Sequence, residues 1–346
     1  MAITAAVKYK LTLEYDGTGY RGWQTQQNAR SVQGTLIQAA SEFFGQDVDV
    51  QGAGRTDAGV HALGQVAHLT VKNGQQPRKI REGLNDLLPA GINILKVAQV
   101  TADFHARHDA VARVYIYVVS RVRTAFGKRY VWWVKDALNA VKMKDACQLF
   151  QGFHDFASFA DRRLDKNAST KVQIDSISTE EIGDLIVFRV AGSHFLWKMV
   201  RRMAGVLVEV GRGNLTKGDV EAMLTSISEA PARLTAPPSG LFLAQVLYKG
   251  DMEEKTHLPL PSLGNSSIPA PEVPAGNGQQ AISTGEHGAG SRKMGQASTK
   301  DSSVSSRGQA AHQVRNDIKE SRGRTPKLPP SSRRRSRGGG GYSPKK

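Results

Sequence analysis

Residues 7–15 alternate strictly: Val7, Tyr9, Leu11, Leu13 and Tyr15 point one way, and Lys8, Lys10, Thr12 and Glu14 the other. A period of two over nine residues predicts a strand with one buried face. The loop DGTGYRG follows, and the period then lengthens. Val32, Leu36, Ile37, Ala40 and Phe44 form a helical stripe, with Ser31 at the N-cap position. The same reading predicts strands at 48–50, 65–71, 93–100 and 114–120, and a helix at 78–88. Further along it predicts a helix at 143–150, strands at 174–179 and 185–190, and a long helix at 195–210. Thr216 and Asp219 have capping-box spacing before a helix to Ile227, and a last strand covers 241–248. Strands and helices mix in both halves without regular βαβ alternation. The expected class is α+β, with two similar sheet-and-helix subdomains, roughly 1–110 and 111–250, facing a central basic cleft.

Beyond residue 250 the pattern stops. All four Trp and all eleven Phe lie before that point, and Tyr342 is the only aromatic after it. A stretch of Ser, Gly, Pro and charge buries too little apolar surface to offset chain entropy, so 251–346 is expected to be a disordered, basic, low-complexity tail. The whole chain carries 47 Lys and Arg against 31 Asp and Glu, a formal charge of +16. Body and tail each carry +8 of it. An excess of this size favours an anionic partner, nucleic acid first. The last 25 residues hold nine basic residues and no acid. Both a non-specific RNA tether and a merely solvated extension fit that run. One cysteine, Cys147, excludes an internal disulfide and fits a reducing compartment. No apolar run has membrane-spanning length and no signal peptide opens the chain, so the expected place is the cytoplasm without a membrane.

The most informative segment is Gly52–Ala62, GAGRTDAGVHA. Glycines let the backbone approach a ligand, and Arg55 and Asp57 stand out among small neighbours. A dinucleotide loop is excluded because Asp57 occupies the third-glycine position and would repel a pyrophosphate. His61, His68, His105 and His108 lack a tight ligand spacing, so no metal is expected. A metal-dependent nuclease would need clustered carboxylates; Asp155, Asp161 and Asp165 are the nearest set, in a segment read as solvated.

GRTDAGVHA (54–62) resembles the signature of the tRNA pseudouridine synthase A family. LEYDGTGYRGWQTQ (13–26), FHARHDAVARVYIY (104–117), GFHDFASFA (152–160), FLWKMVRRMAGVLVEVGRG (195–213) and PPSGLFLAQV (237–246) are similar to other segments of that family in the same order. The resemblance spans 7–248 and implies a cofactor-free isomerase that converts uridine to pseudouridine at positions 38, 39 and 40 of the tRNA anticodon stem-loop, working as a homodimer. It implies Asp57 as catalytic carboxylate, as nucleophile or base, with Arg201 as its charge partner and Arg202 pointing elsewhere. It implies Tyr115 as the second active-site residue, stacking on uracil or moving the C5 proton, and Leu241 as the apolar residue against the base. The target uridine must be flipped out of its stem-loop, and Arg55 is the candidate to brace the vacated position. Arg21, Gln24, Arg107 and Arg113 are further candidate RNA contacts. The competing readings are a non-catalytic RNA-binding protein and a synthase acting on another RNA.

Overall fold

The alternating segment forms β1 (Val7–Tyr15), with every second residue buried as its pattern requires. The computed structural model of the chain describes residues 6–163, 168–254 and 258. Ser31 caps α1 (Val32–Phe44) by accepting from the Gly34 N–H, and Gly45 ends the helix in the left-handed region. The first half continues with β2 (Asp49–Gly52), β3 (His61–Val71), α2 (Pro77–Leu87) and β4 (Ile92–Val100). β3 begins four residues before the expected 65, so the glycine loop is shorter than its composition suggests.

The second half contains β5 (Ala110–Ser120), β6 (Trp132–Trp133), α3 (Ala140–Cys147), β7 (Gly152–Asp155), β8 (Lys171–Ile182) and β9 (Leu185–Gly192). α4 (Met199–Arg212), α5 (Lys217–Thr225), α6 (Ala230–Arg233) and β10 (Leu241–Tyr248) complete it. Thr216 and Asp219 form the expected capping box on α5. β6, β7 and α6 are too short to show a period. The long helix starts at Met199 rather than 195, because Lys198 lies at φ 64 and breaks the helical path. No helix of the described residues is long and apolar enough to cross a membrane.

One ten-stranded sheet carries both halves, in the order β4-β1-β3-β10-β5-β9-β8-β7, with β2 on β3 and β6 on β5. The pairing order repeats. β1 lies antiparallel between β3 and β4, and β5 lies antiparallel between β9 and β10. The class is α+β as expected, and the two halves are joined by hydrogen bonds through β10. That strand runs antiparallel to β5 and meets β3 in a short parallel register, Phe242 opposite His61 and Leu243 opposite Ala62. β2 occupies the same edge of β3 further along, opposite 67–70. The glycine loop therefore leaves β2 and enters β3 beside the start of β10.

The main core covers the helical face of the sheet and includes Leu11, Leu13, Leu36, Leu69, Tyr117, Phe150, Met203 and Leu207. A smaller cluster covers the other face at the centre, with Val114, Ile116, Val118, Val187 and Phe242. The folded body continues past residue 250: Glu253 pairs with Arg189, and Leu258 packs on the second cluster. The remainder of the expected basic tail lies outside the described residues.

Candidate active site

The glycine loop is held from three sides. Trp23 N–H donates to Thr56 O, and Gly59 N–H donates to Tyr20 O. The buried Thr56 hydroxyl meets Tyr15 Oη at 2.8 Å. Gln65 donates to Gly54 O at 2.9 Å. The loop 16–22 approaches so closely that a Cβ on Gly22 would lie 2.5 Å from Thr56 O. Gly22 also sits at φ +94, so glycine is required there on two grounds.

This frame presents Asp57, whose side chain is 20% exposed. Its Oδ2 accepts from Arg201 Nη1 at 2.8 Å, and its Oδ1 accepts from Trp197 Nε1 at 2.5 Å. Arg201 lies on the first turn of α4 and is steadied by donating through Nε to Ala236 O at 2.8 Å. Arg202 points away, as one helical step requires: it is buried and donates to Ala160 O.

Tyr115 is buried on β5, its ring edge-on to Phe195 at 5.1 Å. Burial pushes its phenol up to about 12; Arg113 opposes that rise and Asp57 adds to it. Leu241 opens β10, buried and paired with Tyr117. The structure thus brings Asp57 and Arg201 into direct contact and sets Tyr115 and Leu241 on the two strands at the middle of the sheet.

The expected RNA contacts separate into two kinds. Arg55, Arg21 and Arg107 are exposed and Gln24 is half-buried. Arg113 instead spends its guanidinium on the carbonyl oxygens of Ala110, Ser193, Arg107 and Ala53, tying the base of the glycine loop to β5. A cavity of about 450 Å³ lies between the 18–21 and 28–30 segments and the glycine loop at Ala58 and Gly59, with Arg21 and Arg30 in its lining; Asp57, Tyr115 and Arg201 do not line it. His61 is buried; its Nε2 lies 2.9 Å from Arg129 O and its Nδ1 3.1 Å from Gly17 N. Burial pulls its pKa down, and the Asp16 carboxylate, 3.2 Å from Nδ1, opposes that fall.

Two groups were misread in the sequence or missed there. Asp161 is buried, not solvated, and pairs with Lys198, Arg163 and Arg202. Asp165 lies outside the described residues, and no group of His, Cys, Asp and Glu among them is arranged to hold a metal ion. Trp197 went unnoticed, although an aromatic four residues before an arginine was the available signal.

A carboxylate held by an arginine near a buried phenol is an arrangement able to serve nucleophilic or proton-transfer chemistry. The comparisons narrow that class. The model of the family described as tRNA pseudouridine synthase matches residues 12–109 and 146–249, and the chain belongs to this family. The tRNA pseudouridine synthase A of Agrobacterium fabrum is 39% identical over 246 residues, 70% of this chain and 92% of that protein. The enzyme of the same name from Brucella ovis is 40% identical over 246 residues, covering 70% and 98%. That from Bartonella tribocorum is 39% identical, covering 70% and 99%.

Proposed function

We propose that this chain isomerises uridine to pseudouridine in tRNA, at positions 38, 39 and 40 of the anticodon stem-loop and without a cofactor, with Asp57 as the catalytic carboxylate. The observation that carries the reading is the fixed contact of Asp57 with Arg201 in a family whose relatives bear the name of this activity. The reaction breaks the N1–C1′ bond, turns the uracil, and joins C5 to C1′. The C5 proton leaves and N1 gains one, so atoms and electrons balance without a redox partner.

Asp57 serves either by attacking the nucleotide or by assisting glycosidic cleavage, and both uses need an oriented carboxylate. Arg201 supplies that orientation through a charge-assisted hydrogen bond. Tyr115, its phenol pushed up to about 12 by burial, is protonated at neutral pH. It therefore meets the substrate as a neutral phenol, able to stack on the base and to donate or relay a proton. Leu241 offers the apolar contact for the uracil. Arg55, exposed at the lip of the loop, braces the stem-loop once the uridine has been flipped out. Arg21, Gln24 and Arg107 contact the RNA around it. The homodimer, with one tRNA across both subunits, and the cytoplasmic location belong to the same reading and rest on the family resemblance; sedimentation of the purified chain tests the former.

The test is tritium release from tRNA labelled at uridine C5. The wild type is expected to release tritium without added metal or cofactor. Asp57→Asn is expected to bind the same tRNA and release none, and clear residual turnover by this variant would refute the assignment.

A further inference from the structure

Asp57 has two oxygens and two donors, and only one donor is the arginine. The other, Trp197, is 40% exposed, yet it does not float. Arg163 lies over the indole at 3.6 Å and the Lys198 ammonium stands 4.9 Å from it. The same two cations are held by one carboxylate: Asp161 Oδ1 accepts from Arg163 Nε at 3.1 Å, and Oδ2 from Lys198 Nζ at 2.9 Å. Lys198 is the one non-glycine at positive φ among the described residues. The left-handed region is unfavourable for a residue with a Cβ. Lys198 sits at the step that lets Trp197 leave the helical path while Arg201, four residues on, stays on α4.

We propose that Trp197 is a positioning residue for the isomerisation. Its indole N–H, with Arg201, fixes the rotation of the Asp57 carboxylate, and the Asp161–Arg163–Lys198 cluster fixes the indole. The inference rests on the reading of Asp57 as the catalytic carboxylate. With Oδ2 on Arg201 and Oδ1 on Trp197, the carboxylate plane is set before substrate arrives, and the remaining lone pairs point along fixed directions. Losing one donor leaves the group able to turn about χ2, which costs rate at the reacting centre rather than affinity for a large RNA.

Phenylalanine and histidine separate shape from hydrogen bonding at this position. Phe keeps a ring and has no N–H. His Nε2 occupies the same place in its five-membered ring as the indole Nε1. In the tritium-release assay on the full chain, Trp197→Phe is expected to lower kcat about tenfold with KM for tRNA within about twofold, the worth of one hydrogen bond to a charged group. Trp197→His is expected to recover most of that loss. Arg163→Gln, at a largely exposed side chain, loosens the clamp without entering the core and is expected to lower kcat about threefold at unchanged KM. Equal losses in the Phe and His variants, a change confined to KM, or wild-type kcat in Trp197→Phe would each overturn the proposal. Asp57→Asn run beside them keeps the two readings apart. Turnover by that variant sinks the catalytic assignment, whereas a dead Asp57→Asn with an unimpaired Trp197→Phe sinks only the positioning role.

Discussion

Tyr115 and Tyr15, three strands apart in one row of the sheet, show how one residue type serves two purposes. Burial raises both phenols, Tyr15 the further of the two. Tyr15 is bound to Thr56 and Gln65 and so belongs to the frame of the loop. Tyr115 has Phe195 beside its ring and no hydrogen bond to its hydroxyl among the described residues. That hydroxyl is not one of the buried atoms left without a partner among the described residues, so it stays open to a substrate. Tyr115→Phe is accordingly expected to lower the rate of tritium release by about 10²-fold or more while tRNA affinity stays within twofold; parallel filter binding checks the second part. At this scale the sequence was informative where a motif carried the residue. Asp57 and Arg201 stand in runs specific enough to be singled out. Tyr15, Trp197 and Arg113 stand in such runs too, but their contacts were not legible there, because periodicity says only that a position faces inward. It does not say whether an arginine will meet a phosphate or four carbonyls of its own chain.

At the scale of elements, strands were easier to place than the turn before α4. β1 and β10 fall where their alternation puts them. Phe195, Leu196 and Met199 fit a helical stripe as well as residues 200–210 do, and lysine carries no sign of a left-handed turn. The side chain at that turn is held by Asp161, 37 residues away in sequence and invisible to a local pattern. Asp161→Ala would leave Lys198 and the buried Arg202 without their counter-charge, and Arg202 already has one unpartnered nitrogen. The expected loss is about 3 kcal/mol, read by urea denaturation. The acid limb gives a second check. Burial pushes the Asp161 carboxyl up, but Arg163 and Lys198 hold it well below the usual range. A depressed folded value means its contribution is complete above the unfolded pKa, near 4, and fades as pH falls below it. Wild type and Asp161→Ala should therefore converge in stability toward strong acid and differ most at neutral pH.

Over the whole molecule, the repeated pairing of β1 with β3 and β4, and of β5 with β9 and β10, was legible only as a likeness of style between the halves. Pairing is a long-range property, and no repeat in the residues announces it. The charge was plainer. Body and tail each carry +8, and counterion release makes RNA affinity depend on that total. Removing 259–346, while keeping Glu253 on Arg189 and Leu258 on the sheet, is expected to spare kcat. It should also weaken tRNA binding at low salt and flatten the slope of affinity against salt. An unchanged slope would show that the tail takes no part in binding.

The placing of β10 has a consequence in time. It is the last strand of the body to leave a ribosome, yet it lies between β3 and β5 in the middle of the sheet. A nascent chain that has delivered only β1 to β9 has two half-sheets whose inner edges are covered only in part, by β2 on β3 and β6 on β5, with the rest open to pairing with a stranger. Asp57 and Arg201, 144 residues apart, then belong to halves that nothing yet joins in register. The final strand is what closes those edges and joins by hydrogen bonds the halves that carry Asp57 and Arg201, so an unfinished copy is expected to be exposed to aggregation before the pair can meet.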